Sequence, residues 1–410
     1  MRTPIPTIGA TRGIASGLPE TPKSLLQLAK RFTLDGDAAL EMQLKTICEW
    51  VCNGIMEKLH PAKLDAIVLG GGYGRGEGGV LRTESYDSPY NDMEFYVFLR
   101  GNALLNEYRN RVTLEKLEHE MTKMAGIEVE FKLHSLSRLQ GSPVSMFSYD
   151  LVMGHRVVYG SEDLFAQCRH HRSAREIPYS ELTRLLMNRC SGLLFAKKCL
   201  EAPAFSYDDA DYIFRNLAKL RLALGDVVLG VSGQYHWSCR ERSRRLERIP
   251  QETCGDWLNA VRREHRTGMR FKLHPHGSTA SRNELWSDLH SMSELSGKVW
   301  LWLEQQRLHR RFKSFGEYAS AKDDKCPETK AWRNLCINLR QFGLAAFDSR
   351  TAFRYPRERL LRTLPVLLWE NRKAPDDRSH TVLREQLRGA SRGKSTGWID
   401  AYERIWRSYR

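Results

Sequence analysis

Residues 66–99 read AIVLGGGYGRGEGGVLRTESYDSPYNDMEFYVFL. The apolar run from Ala66 to Leu69 has the length and composition of a buried strand. A block of glycines follows from Gly70 to Gly79, broken by Tyr73, Arg75 and Glu77. After a polar loop holding Ser88-Pro89, a second strand runs from Met93 to Leu99, entered through Asp92 and carrying Glu94. Glycine lets a backbone approach phosphate closely, because no Cβ stands in the way. Carboxylates at i and i+2 of a strand point to the same side, where they can share divalent metal ions. Without a bound cation two such charges repel, so the pair is costly unless it has a use.

The flanking segments extend this pattern. Upstream, Leu40, Leu44, Ile47, Val51, Ile55 and Leu59 recur at spacings of three and four, which predicts a helix over 38–59 closed off by Pro61. A shorter helix is expected around Leu25, Leu26 and Ala29, and another from Arg75 to about Leu81. Residues 102–124 read as helical, but the apolar stripe changes side. Leu105, Tyr108 and Val112 share one face and Leu114, Leu117, Met121 and Met124 another, so a bend is expected near Thr113. From Ile127 to Leu133 apolar and charged residues alternate strictly, the mark of a half-buried strand with Glu128, Glu130 and Lys132 on its open face.

From Ser180 the pattern becomes helical: 182–200, 210–229, the basic run Arg240 to Arg248, 257–266 and 284–313, with a loop expected over 268–283. The remainder is mainly helical. The expected fold class is therefore α+β, a small mixed-sheet module followed by a large helical region. Its expected divisions are a disordered tail over 1–22, N-terminal helices over 23–62, the α/β module over 63–165, a helical domain over 166–313 and a C-terminal helical region over 314–410.

The chain has 410 residues and a formal charge of +15, which favours anionic partners such as nucleotides or nucleic acid. No apolar run approaches the ~20 residues of a transmembrane helix, so no membrane is expected as a partner. Residues 1–19 lack the apolar core of a secretory signal. The nine cysteines form no CxxC pair, and Cys48 and Cys52 have no histidine cluster beside them. They read as reduced thiols of a cytoplasmic protein.

The two blocks Gly71-Gly72-Tyr73-Gly74-Arg75-Gly76 and Asn91-Asp92-Met93-Glu94 resemble the signature of the nucleotidyltransferase superfamily. That superfamily includes DNA polymerase beta, poly(A) polymerases, aminoglycoside nucleotidyltransferases and minimal nucleotidyltransferases. The resemblance covers about residues 66–164. It implies that Asp92 and Glu94 are catalytic and bind two Mg²⁺ ions, with a third carboxylate from Glu130, or alternatively Glu128. It implies that Gly71, Gly72 and Arg75 meet the triphosphate of an NTP, with ATP the expected one, and that NMP passes to an acceptor hydroxyl with release of pyrophosphate. The acceptor itself is not implied. Gly70 is an extra glycine before the pair, and three features depart from the family pattern: 19 residues between Gly72 and Asp92, a second acid that is glutamate, and a third acid that is either Glu128 or Glu130.

Other readings compete. A Rossmann dinucleotide loop would need a third glycine where Arg75 stands, and an acid at the end of the next strand rather than its beginning. In the helical region Arg215 and Lys219 share a face and could line a nucleotide cleft, or could be surface charges. The run Arg240 to Arg248 could bind nucleic acid or be a solvated helix face. A catalytically degenerate nucleotide-binding or regulatory protein and a basic nucleic-acid-binding protein are the alternatives to an enzyme.

Overall fold

The computed structural model describes residues 31–348, 352–370, 377–387 and 397–408. The expected tail and the helix around Leu25 lie outside the described residues. The α+β class is observed: a small sheet module, then a large helical region.

Helix α1 (Ala38–Lys58) starts where Asp37 accepts the Leu40 backbone N–H and buries Leu40, Leu44, Ile47, Val51 and Ile55. Strand β1 (Leu64–Leu69) leads into a single helical turn, α2 (Gly71–Gly74). Next come the short strands β2 (Val80–Arg82) and β3 (Asp87–Pro89), then β4 (Met93–Leu99). The helix expected from Arg75 to Leu81 is thus not formed. The helical turn ends at Arg75, and β2 pairs antiparallel with β3. This hairpin takes up the long gap before Asp92, and mutual bonds between Asp37 and Asp87 (2.9 and 3.2 Å) tie it to the start of α1.

Helix α3 (Ala103–Ala125) is continuous, with no break at Thr113. Asn102 caps it, and Gly126 ends it at φ +70°. Leu114, Leu117 and Met121 reach the core, while Leu105, Tyr108 and Val112, and also Met124 of the second stripe, stay exposed, so the stripe changes side because packing is confined to part of the C-terminal half. Strand β5 (Val129–His134), helices α4 (Leu136–Gln140) and α5 (Met146–Met153), and strand β6 (Arg156–Tyr159) complete the module.

The sheet order is β5-β4-β1-β6, with β4 and β5 parallel and the other pairs antiparallel. Each strand sends alternate residues to opposite faces. Ile67, Leu69, Phe95, Val97 and Val129 pack with α1 and α3. Ala66, Val68, Tyr96 and Phe98 pack with Leu139, Leu151 and Phe165 on the other face.

The helical region begins with α6 (Tyr179–Glu201) and α7 (Tyr207–Val231), followed by α8 (Cys239–Glu247), α9 (Leu258–Leu273) and α10 (Arg282–Leu308). Helix α9 continues seven residues past the expected end at Arg266, through Gly268. A Cβ on Gly268 would stand 2.9 Å from the Ala218 carbonyl oxygen, so glycine is there to let α9 close on α7. Helices α11 (Phe315–Ser320), α12 (Ala331–Phe342), α13 (Pro356–Trp369), α14 (Asp377–Leu387) and α15 (Trp398–Ser408) follow. Among the described residues, those of 166–313 and 314–410 share one core, which also takes in Tyr149 of α5. Among the described residues no helix is long and apolar enough to cross a membrane.

The module and the helices are joined by the glycine block. Glu77 is buried, and its carboxylate receives the Ser238 hydroxyl (2.5 Å) and the Cys239 backbone N–H (2.8 Å) at the start of α8. An anion there also meets the positive end of the helix. Burial pushes the Glu77 carboxyl up, but the bonds from Ser238 and Cys239 outweigh it and hold it below its ordinary value of 4.5. The sign of its pH effect follows. The contact stabilises fully above the ordinary glutamate value and is lost as pH falls through the lower folded value. Glu77→Gln is expected to cost about 1–3 kcal/mol at neutral pH, and urea unfolding should show that difference shrinking in acid.

Candidate metal centre beside the glycine turn

Asp92 and Glu94 share a face of β4 by the period of two, and Glu130 stands directly opposite Glu94 on the parallel strand β5. One carboxylate oxygen from each of Asp92, Glu94 and Glu130 lies within 4.8 Å of the others. Gly71, at φ +62°, lies beside them: a Cβ there would be 3.7 Å from the Glu94 carboxyl carbon. The expected convergence of three acids beside the glycine turn is therefore observed. Glu128 is exposed and stands outside this trio.

The electrostatics follow from crowding like charges. Burial, then the charges of Glu94 and Glu130, push the Asp92 carboxyl above its ordinary value. The trio is all oxygen, half-buried and anionic, which suits a hard divalent cation such as Mg²⁺ rather than a soft metal. Among the described residues Lys132 pairs with the trio, its Nζ 2.9 Å from Glu130 Oε2 and 3.4 Å from Glu94 Oε2. The Tyr96 hydroxyl donates to the same Glu94 oxygen at 2.6 Å. Burial alone would lower the Lys132 ammonium, but the bond to Glu130 and the charge of Glu94 raise it instead.

Arg75 is placed otherwise than the phosphate role expects. Its guanidinium reaches Asp150 Oδ2 at 3.2 Å and donates to the Trp237 carbonyl at 3.3 Å. Asp150 in turn accepts from the Tyr235 hydroxyl at 3.2 Å. Arg242 donates to that hydroxyl at 3.1 Å and to Asp226 at 2.6 Å. Arg75 thus starts a polar chain that ties the glycine block to the helical region. Lys219 is exposed on α7.

Several members of the basic run are also structural. Arg242 is buried against Asp226, and Arg245 pairs with Glu241 at 3.0 Å. Aromatic contacts add to the junction: Tyr90 meets Phe271 edge-on at 6.2 Å, and Phe271 meets Phe214 at 5.3 Å.

Four residues of the site region escape a reading built on glycines and acids. Tyr73, fully buried, donates to the Gly79 carbonyl (3.0 Å) and accepts the Tyr90 N–H (3.0 Å), which folds the glycine block back onto the approach to Asp92. Tyr96 and Lys132 were legible in principle: each lies two residues beyond an acid on its own strand face. Glu77 had no signal, because its partners lie 161 and more residues away.

No protein-family model matches this chain, and no curated protein matches it. What the fold and the site define on their own is a small mixed sheet carrying a carboxylate trio beside a glycine turn.

Proposed function

We propose that the chain is a Mg²⁺-dependent nucleotidyltransferase that moves an NMP, AMP in the simplest case, from an NTP to an acceptor hydroxyl. The observation that carries this reading is the convergence of Asp92, Glu94 and Glu130 within 4.8 Å of one another, next to Gly71. These carboxylates would hold Mg²⁺, which when bound activates the acceptor hydroxyl and neutralises the leaving pyrophosphate. Gly71 and Gly72 would let the triphosphate approach the backbone, since neither presents a Cβ. The acceptor oxygen would form a bond to the α-phosphorus as the bond to pyrophosphate breaks. Its proton would pass to a carboxylate, with Glu130 the candidate base. Arg75 would serve this reaction by holding the glycine block against Asp150 rather than by touching phosphate.

A second reading, a nucleotide-binding protein without turnover, is favoured by the Lys132 ion pairs with Glu94 and Glu130. One experiment separates the two. The chain is incubated with each labelled NTP, Mg²⁺ and candidate acceptors, beside the double variant Asp92→Ala/Glu94→Ala. Transfer that disappears in the variant supports the enzyme. Nucleotide binding without transfer supports the second reading. Pyrophosphate release that the double substitution leaves intact sinks the metal-centre assignment.

A further inference from the structure

We infer that Lys132 is the resident counter-ion of the carboxylate trio, a cation that must leave before Asp92, Glu94 and Glu130 can ligate a metal ion. The inference rests on the metal-centre reading above and adds a regulating residue to it. Glu94 and Glu130 face each other across two paired strands, an arrangement of like charges that destabilises a sheet. The ammonium of Lys132 bridges them at 3.4 and 2.9 Å and so offsets that repulsion. It pairs with two of the three carboxylates that a metal would use, so the two cations compete for Glu94 and Glu130.

Two further observations make Lys132 a displaceable ion rather than a fixed one. Its side chain is 40% exposed, and ion pairs that open to solvent are weak. It also lines an open cavity of about 680 Å³ between α3 and α4–α5, whose walls carry Glu107, Glu115 and Glu118 together with Arg111 and Arg138. That cavity gives the ammonium room to swing into once a metal takes over its partners. Tyr96, whose hydroxyl holds Glu94 at 2.6 Å, keeps the carboxylate in place while the cations exchange. The consequence is an exchange: the trio carries Lys132 at low metal concentration and the divalent ion at high concentration.

The test is Mn²⁺ binding by the full chain, read from the electron paramagnetic resonance signal of free Mn²⁺, with no nucleotide present. Lys132→Met keeps the length of the stem and removes the charge. It is expected to bind Mn²⁺ about tenfold more tightly than the wild type. Lys132→Arg keeps a cation and should stay as weak as the wild type. Lys132→Gln serves as a second neutral variant if circular dichroism shows that the methionine variant is misfolded. Equal or weaker Mn²⁺ binding in the neutral variants, with the wild type binding, overturns the inference and leaves the metal centre standing. Absence of binding in all of these folded proteins overturns both.

Discussion

Asp92→Asn is expected to abolish the proposed nucleotidyl transfer while making the metal-free protein more stable. The two effects have one cause. Asp92, Glu94 and Glu130 are held within 4.8 Å of one another, an arrangement useful for gripping a cation and unfavourable without one. Burial and the neighbouring charges of Glu94 and Glu130 raise the folded pKa of Asp92 above its ordinary value of 3.8. A carboxyl whose folded pKa is raised binds its proton more tightly folded than unfolded. Its ionised form therefore costs stability at neutral pH, and that cost disappears as pH falls through the raised value.

Asparagine removes the charge at nearly constant shape, so the thermal midpoint in chelator at pH 7 should rise. The gap from wild type should close toward about pH 4. Mg²⁺ should reverse the order, stabilising the wild type and leaving the variant unmoved. Activity should fall by about a thousandfold or more, because a lost ligand removes charge stabilisation at the reacting phosphate. Lost activity with lowered stability would indicate a structural role for Asp92 instead.

Gly74→Ala is expected to cost the fold clearly more than Gly71→Ala, three residues earlier in the glycine block. A Cβ at Gly74 would lie 2.8 Å from the Leu69 carbonyl carbon and closer still to its oxygen. Those atoms are the backbone of a central strand, with nothing flexible to give way. Overpacking of this kind costs about 3 kcal/mol, and here the displaced backbone is the last residue of β1, immediately before the turn that carries Gly71. Gly71→Ala is the informative contrast. It meets no atom closer than 3.7 Å, but its φ of +62° strains any L side chain by about 1–2 kcal/mol. Urea unfolding should therefore rank the two, with Gly74→Ala clearly the worse. Equal costs would mean that β1 and the turn can separate more easily than their packing indicates.

Much of the fold could be read from local pattern. Helix α1 and strand β5 fall within a residue or two of the expected limits, because their apolar periods are strong and their ends carry an Asp cap, a Pro or a Gly. The trio was legible in part for the same reason. Asp92 and Glu94 obey the period of two, whereas the alternation leading into β5 puts Glu128 and Glu130 on one face alike, and strand register chooses Glu130. The failures share a different cause. Gly268 reads as a loop residue locally, and becomes helical because α7 presses against it. The expected bend at Thr113 was inferred from two apolar stripes, of which only one found a partner.

Residue type and short-range spacing were enough for the fold class, for most of the elements and for the pair Asp92 and Glu94. Which charges meet is a property of the packed chain. Packing brought Glu130 across from Glu94, placed Lys132 between them, took Arg75 to Asp150, and set Glu77 on the first turn of α8. The physical reason is that a carboxylate or guanidinium is satisfied by whatever opposite charge or donor lies within a few ångströms. That neighbour is chosen by strand register and domain packing rather than by position along the chain.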